Sequence, residues 1–260
     1  MSYRRSAQRI GALVAVGALL GGASACGESG RSAASGPLPA PTRAKVEQTI
    51  RQFQAANKTP GVLVGIWSPR GAFVSATGVA DLVTKKPLSP DMQFKIGSQA
   101  KAFTANLILQ LVGEGKVSLD DHISKWVKGV PNGDRITIRQ LLTMTSGLGP
   151  GFLSTKGAEK ALTKTGCTEA GVLAAAASTP PVAPPGTKWV YSNYGYDLLG
   201  RVVELTTGQD VSTAIQQRIA GPLGLHRTLL PTTGNGLSVP FTHGYGTGGR
   251  LHPGAGGCLG

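Results

Sequence analysis

The spacing of apolar positions changes several times along this chain. Val46, Ile50 and Phe53 recur at helical intervals, predicting a helix capped by Thr42 and ended by Pro60-Gly61. VLVGIWS (62–68) and AFVSATGVA (72–80) are rich in β-branched and aromatic residues. They flank Pro69-Arg70-Gly71 and predict a β-hairpin. A denser apolar run from Ser98 to Val112 predicts a buried helix that closes near Gly113 and Gly115. Shorter helical stretches are expected at 118–127 and 137–144, the second capped by Thr137, and at 168–177 before Thr179-Pro180-Pro181. The strongest amphipathic pattern is YGYDLLGRVVELTTG (194–208), and another helix over 210–225 is stopped by Gly221-Pro222. Beyond 231 the chain is rich in Gly and Pro and has no clear period. A lone two-stranded hairpin is marginal, so this one calls for further strands, of which the sequence offers few.

The first 25 residues do not fit this pattern. Arg4, Arg5 and Arg9 precede the short apolar stretch GALVAVGALLGG, and small residues follow. That is the order of an export signal, with an apolar stretch too short for an ordinary membrane span. Ala23-Ser24-Ala25 fits a cleavage site, and with Cys26 the same stretch resembles a lipobox. Lipidation of Cys26 would leave Cys167 and Cys258, two of the three cysteines, able to pair. The reading is an extracytoplasmic chain anchored to the cell membrane through Cys26, or a freely secreted one. Residues 26–41 then form the attachment point and a Gly/Ser/Pro/Ala linker, and 42–260 the folded domain.

Composition narrows the function classes. The 260 residues, 40% hydrophobic, suffice for one core or for two lobes sharing one. The net charge of +13 falls to +10 once the signal and its three arginines are removed. The positives are dispersed singly or in pairs such as Lys85-Lys86, so a solvated basic surface is expected rather than a nucleic-acid site. His122, His226, His243 and His252 lack metal-ligand spacing, and no phosphate-cradling glycine loop occurs, so no cofactor is expected.

Candidate chemistry lies at two places. In FKIGSQAKAFTANLIL (94–109), Ser98 and Lys101 share a helix face at i and i+3. A serine becomes a nucleophile when a neighbour takes its proton. A lysine serves as that neighbour only if its pKa falls from about 10.4. Helix-end N–H groups near Ser98 would favour an oxyanion, and the apolar residues beyond would exclude water. The second place is Tyr191-Ser192-Asn193, the only Y-x-N in the chain, in a loop just before the strongest helix. A phenol can relay a proton; an amide can hold a substrate carbonyl or the lysine.

Four stretches together resemble the serine β-lactamase-related family. They are FKIGSQAKAFTANLILQLVGEGKVSLDDHISKWV, ITIRQLLTMTSGL, PPGTKWVYSNYGYDLLGRVVELTTGQ and GPLGLHRT. That family includes class C β-lactamases, D-Ala-D-Ala carboxypeptidases and related esterases. The resemblance implies an α+β fold of the β-lactamase/DD-peptidase type. It implies Ser98 as the acylated nucleophile, Lys101 as its proton partner and Tyr191 as base or relay. Asn193 would bind the substrate amide, and the Ser98 N–H would form half of an oxyanion hole. Substrates would be peptidoglycan stem peptides, β-lactams or esters. Met144 stands where the family usually has histidine, and a local packing change is expected there. The family's third box has only His252-Pro253-Gly254 as a candidate, and proline does not suit a strand interior. The expectation is therefore a chain truncated before that box, with its helical lobe largely complete and its antiparallel-sheet lobe incomplete. The alternative is a catalytically inactive lipoprotein that binds cell-wall peptide.

Overall fold

A computed structural model describes residues 36–150, 180–231 and 237–245. Helix α1 spans Ala40–Asn57, strands β1 and β2 span Gly61–Ser68 and Gly71–Gly78, and helix α2 spans Ala100–Gly113. Three more helices follow: α3 (Ile138–Leu142), α4 (Asn193–Thr207) and α5 (Val211–Ile215), the last running into a π-helical turn, Gln216–Ala220. The stretch 168–177, the cysteines Cys26, Cys167 and Cys258, and His252-Pro253-Gly254 lie outside the described residues.

The hairpin forms where the pattern placed it. β1 and β2 pair antiparallel from Gly61 opposite Gly78 to Ser68 opposite Gly71, leaving Pro69-Arg70 as the turn. Ser68 Oγ accepts the Arg70 N–H and donates to the Gly71 carbonyl, which closes that turn. One cluster of apolar side chains joins the hairpin to α1: Leu38, Ile50 and Phe73 are buried, with Val46, Val62, Val64 and Ile66 against them. Here three expectations need correction. Pro39, not Thr42, occupies the N-cap of α1, because prolines tolerate the first helical turn. Residues 37 and 38 belong to the fold rather than to a linker: Pro37 bridges Ala72 and Leu38 is buried. Phe53, expected to share a face with Val46 and Ile50, is 54% exposed.

The second and larger cluster is helical. α2 buries Leu107, Ile108 and Leu111 against Leu198, Leu199, Val202 and Val203 of α4, with Ile138 and Leu141 of α3 beside them. Thr137 caps α3 as expected: its side chain accepts the Gln140 N–H, and the Gln140 side chain accepts the Thr137 N–H. α4 ends at Gly208, whose φ of 71° is a left-handed conformation that glycine adopts without strain. The expected helix over 118–127 is only one 3-10 turn, Ile123–Lys125. Its backbone is used elsewhere: the Ile123 N–H goes to the Ile136 carbonyl, and the Asp121 and Leu119 carbonyls accept from Ile138 and Arg139.

The aperiodic chain after 231 also has a place. Residues near Phe241 run parallel to Gln93, which donates its N–H to the Pro240 carbonyl and accepts the Thr242 N–H. The Gln93 side chain donates to the Arg227 carbonyl and accepts the Ser238 N–H. Gln93 thus ties two distant segments to the strand-like lead-in to Ser98.

Candidate active site

Ser98 lies in a 3-10 turn, Gly97–Gln99, that runs directly into α2. The 3-10 turn begins one residue before the expected helix start and α2 itself two residues after it, which leaves Ser98 exposed at the positive end of a long helix. Lys101 follows in the first turn of α2, and its Nζ lies 3.4 Å from Ser98 Oγ.

The loop carrying Tyr191 is delivered by a template. Residues 144–150 accept its backbone donors in series: Gly147, Thr145 and Met144 carbonyls take the Val182, Gly186 and Val190 N–H groups, and the Pro150 carbonyl takes that of Asn193. Ser192 fastens the loop to α4, donating from Oγ to the Gly149 carbonyl and accepting the Gly195 N–H as N-cap. Met144 does more than repack. It adopts a left-handed φ of 60°, and its sulfur accepts the Ser192 N–H at 3.3 Å. A soft thioether is a weak acceptor. Here it takes up the donor between Tyr191 and Asn193, which corrects the expectation of a packing change alone.

Gly147 makes the template's tightest approach. Its φ is +75°, and a Cβ there would run into the Ala183 carbonyl. Gly147→Ala is expected to destabilise the fold by more than the ~1–2 kcal/mol of left-handed strain alone. Chemical denaturation would check this; an unchanged midpoint would mean the loop yields freely.

These elements bring all four expected side chains together. Tyr191 Oη is 2.6 Å from Ser98 Oγ, donating to it. Lys101 Nζ donates to Asn193 Oδ1 at 2.8 Å. The ammonium also lies 5.1 Å from the Tyr191 ring centre and 5.8 Å from that of Tyr196, distances at which ring faces attract cations. Asn193 therefore engages the lysine, one of the two roles its amide allows. Burial acts to raise the Tyr191 phenol, but its hydrogen bond to Ser98 and the nearby Lys101 charge outweigh this and bring it below its ordinary value. Tyr196 is pushed up, mainly by burial, and its Oη donates to the Leu142 carbonyl.

One residue escaped the sequence reading. Asp197 sits on α4 one turn after Asn193, and its Oδ2 is buried with no hydrogen-bond partner. Burial pushes its carboxyl up to about 7, against the pull of the Lys101 charge. The available signal was an acid between Tyr196 and Leu198-Leu199 in α4, at i+4 from Asn193.

Known proteins carry the same arrangement of chain. The β-lactamase family profile matches residues 46–256. Penicillin-binding protein 4 of Amycolatopsis lactamdurans is 32% identical over 204 residues, covering 76% of this chain and 52% of its own. Esterase EstB of Burkholderia gladioli is 30% identical over 213 residues, covering 68% and 53%. The chain thus spans about half the length of these relatives. Among solved structures, a D-stereospecific amidohydrolase from Streptomyces sp. superposes with a TM-score of 0.69 at 29% identity, covering 78% of this chain and 61% of its own. The penicillin-binding protein homologue from Pyrococcus abyssi gives 0.66 at 29%, covering 80% and 49%. The fold is of the β-lactamase/DD-peptidase type, and the chain belongs to the serine β-lactamase-related family of hydrolases.

Proposed function

We propose that this chain acts as an exported serine hydrolase of the penicillin-recognising type, through an acyl-enzyme on Ser98. The observation that carries the reading is the 2.6 Å contact between Tyr191 Oη and Ser98 Oγ, with Lys101 at 3.4 Å from the same oxygen. With Tyr191 as phenolate, the same line passes the serine proton to the phenolate oxygen, which becomes the phenol. Ser98 Oγ then attacks the substrate carbonyl carbon. The C–N or C–O bond breaks, and the leaving amine or alcohol takes the proton from Tyr191. Water hydrolyses the resulting ester, releasing the acid and restoring the Ser98 hydroxyl. Lys101 supplies positive charge that favours the phenolate, and the Ser98 N–H would supply one oxyanion contact. Tyr191 is favoured over Lys101 as first base by its shorter contact and its depressed phenol.

The substrates proposed are D-Ala-D-Ala peptides of peptidoglycan, β-lactams or esters. The names of the penicillin-binding and esterase relatives support the β-lactam and ester part of this range, and an extracytoplasmic, basic chain with a lipid on Cys26 would meet anionic peptidoglycan stems. The test is intact mass after incubation with a fluorescent penicillin, followed by peptide mapping. One adduct on the Ser98 peptide is expected. A folded chain that takes no adduct and cleaves no ester would end this reading and favour a binding role. The same spectrum of membrane-extracted protein would show whether the chain begins at a lipidated Cys26.

A further inference from the structure

Asp197 has no part in the acylation steps just described, yet its position ties it to them. It lies four residues after Asn193, so both side chains share one face of α4. Asn193 Oδ1 holds Lys101 at 2.8 Å. Asp197 Oδ2 is sealed from water and has no hydrogen-bond partner among the described residues. A carboxylate oxygen buried without a partner is costly to the fold and calls for an electrostatic reason.

Among the described residues, Lys101 is the charge whose field reaches Asp197. α2, α3 and α5 pack on α4. Within α2, Lys101 is the sole charged residue. The charged residue of α3, Arg139, turns outward to Asp120, and α5 holds no titratable side chain. On α4 itself, Arg201 and Glu204 pair with each other at 3.1 Å, and Tyr194 is neutral, raised to about 12 by burial and then by Asp197. Tyr191 and Tyr196 present ring faces to Lys101. Among the described residues, Lys101 Nζ meets acceptors and π faces: Ser98 Oγ, Asn193 Oδ1 and two rings.

We propose that Asp197 is a positioning residue of this site, whose buried carboxylate, one helical turn behind Asn193, holds the Lys101 ammonium against Asn193 and keeps it aimed at Ser98. The hold depends on pH. Burial places the Asp197 carboxyl at about 7, so it is neutral below that pH and ionised above it. As pH rises through this range the negative charge appears, the pair becomes neutral overall, and Lys101 is fixed. As pH falls, the hold is lost.

The test uses the full chain with 15N-labelled lysine and 13C-carboxyl aspartate. The Asp197 signal, assigned by its loss in Asp197→Asn, is expected to titrate near pH 7. The Lys101 15Nζ signal, assigned by its loss in Lys101→Arg, is expected to step at the same pH. Asp197→Asn should abolish the step, and Tyr191→Phe should keep it. A Lys101 signal without the step, or with the step unchanged in Asp197→Asn, overturns the proposal. If Asp197→Asn does not fold, a Lys101 step near pH 7 in both the unmodified chain and Tyr191→Phe upholds the proposal, and its absence overturns it.

The second readout is the acylation rate with penicillin, which rests on the Ser98 reading. Below about pH 6, Asp197→Asn should match the unmodified chain, because both side chains are neutral there. Above pH 8 it should be slower by about tenfold, the equivalent of one pKa unit of interaction. An equal slowing at every pH would mean a structural role only. Absence of acylation in the unmodified chain would defeat the Ser98 reading, while the resonances still judge Asp197.

Discussion

The Ser98→Ala variant is expected to fold normally, to take no penicillin adduct, and to lose hydrolysis by about 10⁴–10⁶-fold, as when other serine hydrolases lose their nucleophile. The fold should survive because Ser98 supports no other part of it. The residue is exposed, and neither its own turn nor α2 has a side-chain cap. Removing Oγ deletes the contacts to Tyr191 and Lys101 and leaves the apolar contacts of α2 in place. A variant that hydrolyses substrate as fast as the unmodified chain would move the nucleophile elsewhere.

Tyr191→Phe should have the second-largest effect, a loss of about 10²–10⁴ in acylation rate, the usual contribution of a positioned general base. The substitution keeps the ring and removes only Oη. At 37% exposure the phenyl group meets no new conflict, and the 144–150 template still holds the loop through its backbone. The effect should also depend on pH in a stated direction. The Tyr191 phenol lies below its ordinary value, so the phenolate, and with it acylation, should rise with pH earlier than for free tyrosine. Tyr191→Phe should flatten that rise. Acylation at the unmodified rate would give the first proton transfer to Lys101 instead. Ser98→Ala and Tyr191→Phe remove opposite ends of one hydrogen bond, so their combined loss should fall well short of the product of the two.

Much of this arrangement was legible before the fold was known, for identifiable reasons. The hairpin follows from two β-branched and aromatic runs around Pro69-Arg70-Gly71, a local signal. The Thr137 cap with Gln140 three residues on is likewise a local signature. Ser98, Lys101, Tyr191 and Asn193 stood out because each residue type has a chemical use and the family's boxes keep their spacing.

What escaped depends on distant chain. No spacing rule says that the backbone of 118–127 will be drawn to Ile136 and the start of α3, which prevents a helix there. The choice between lysine and substrate for the Asn193 amide needed the distance across α2 and α4. The sulfur of Met144 at the Ser192 N–H, and the seclusion of Asp197, are tertiary facts with no sequence period. Pro37 and Leu38 read as linker because burial of a single leucine leaves no periodic trace.

The two apolar clusters described above share no member. A chain with divided cores opens in cooperative units, each with its own free energy. The smaller unit, α1 with the hairpin, has far fewer buried side chains than the helical unit and should open first. Ser98, Lys101, Tyr191 and Asn193 all sit on or beside helices of the larger unit. Hydrogen exchange should therefore find the amides of β1 and β2 released while those of α2 and α4 stay protected, so the reacting groups remain assembled through excursions that undo the sheet.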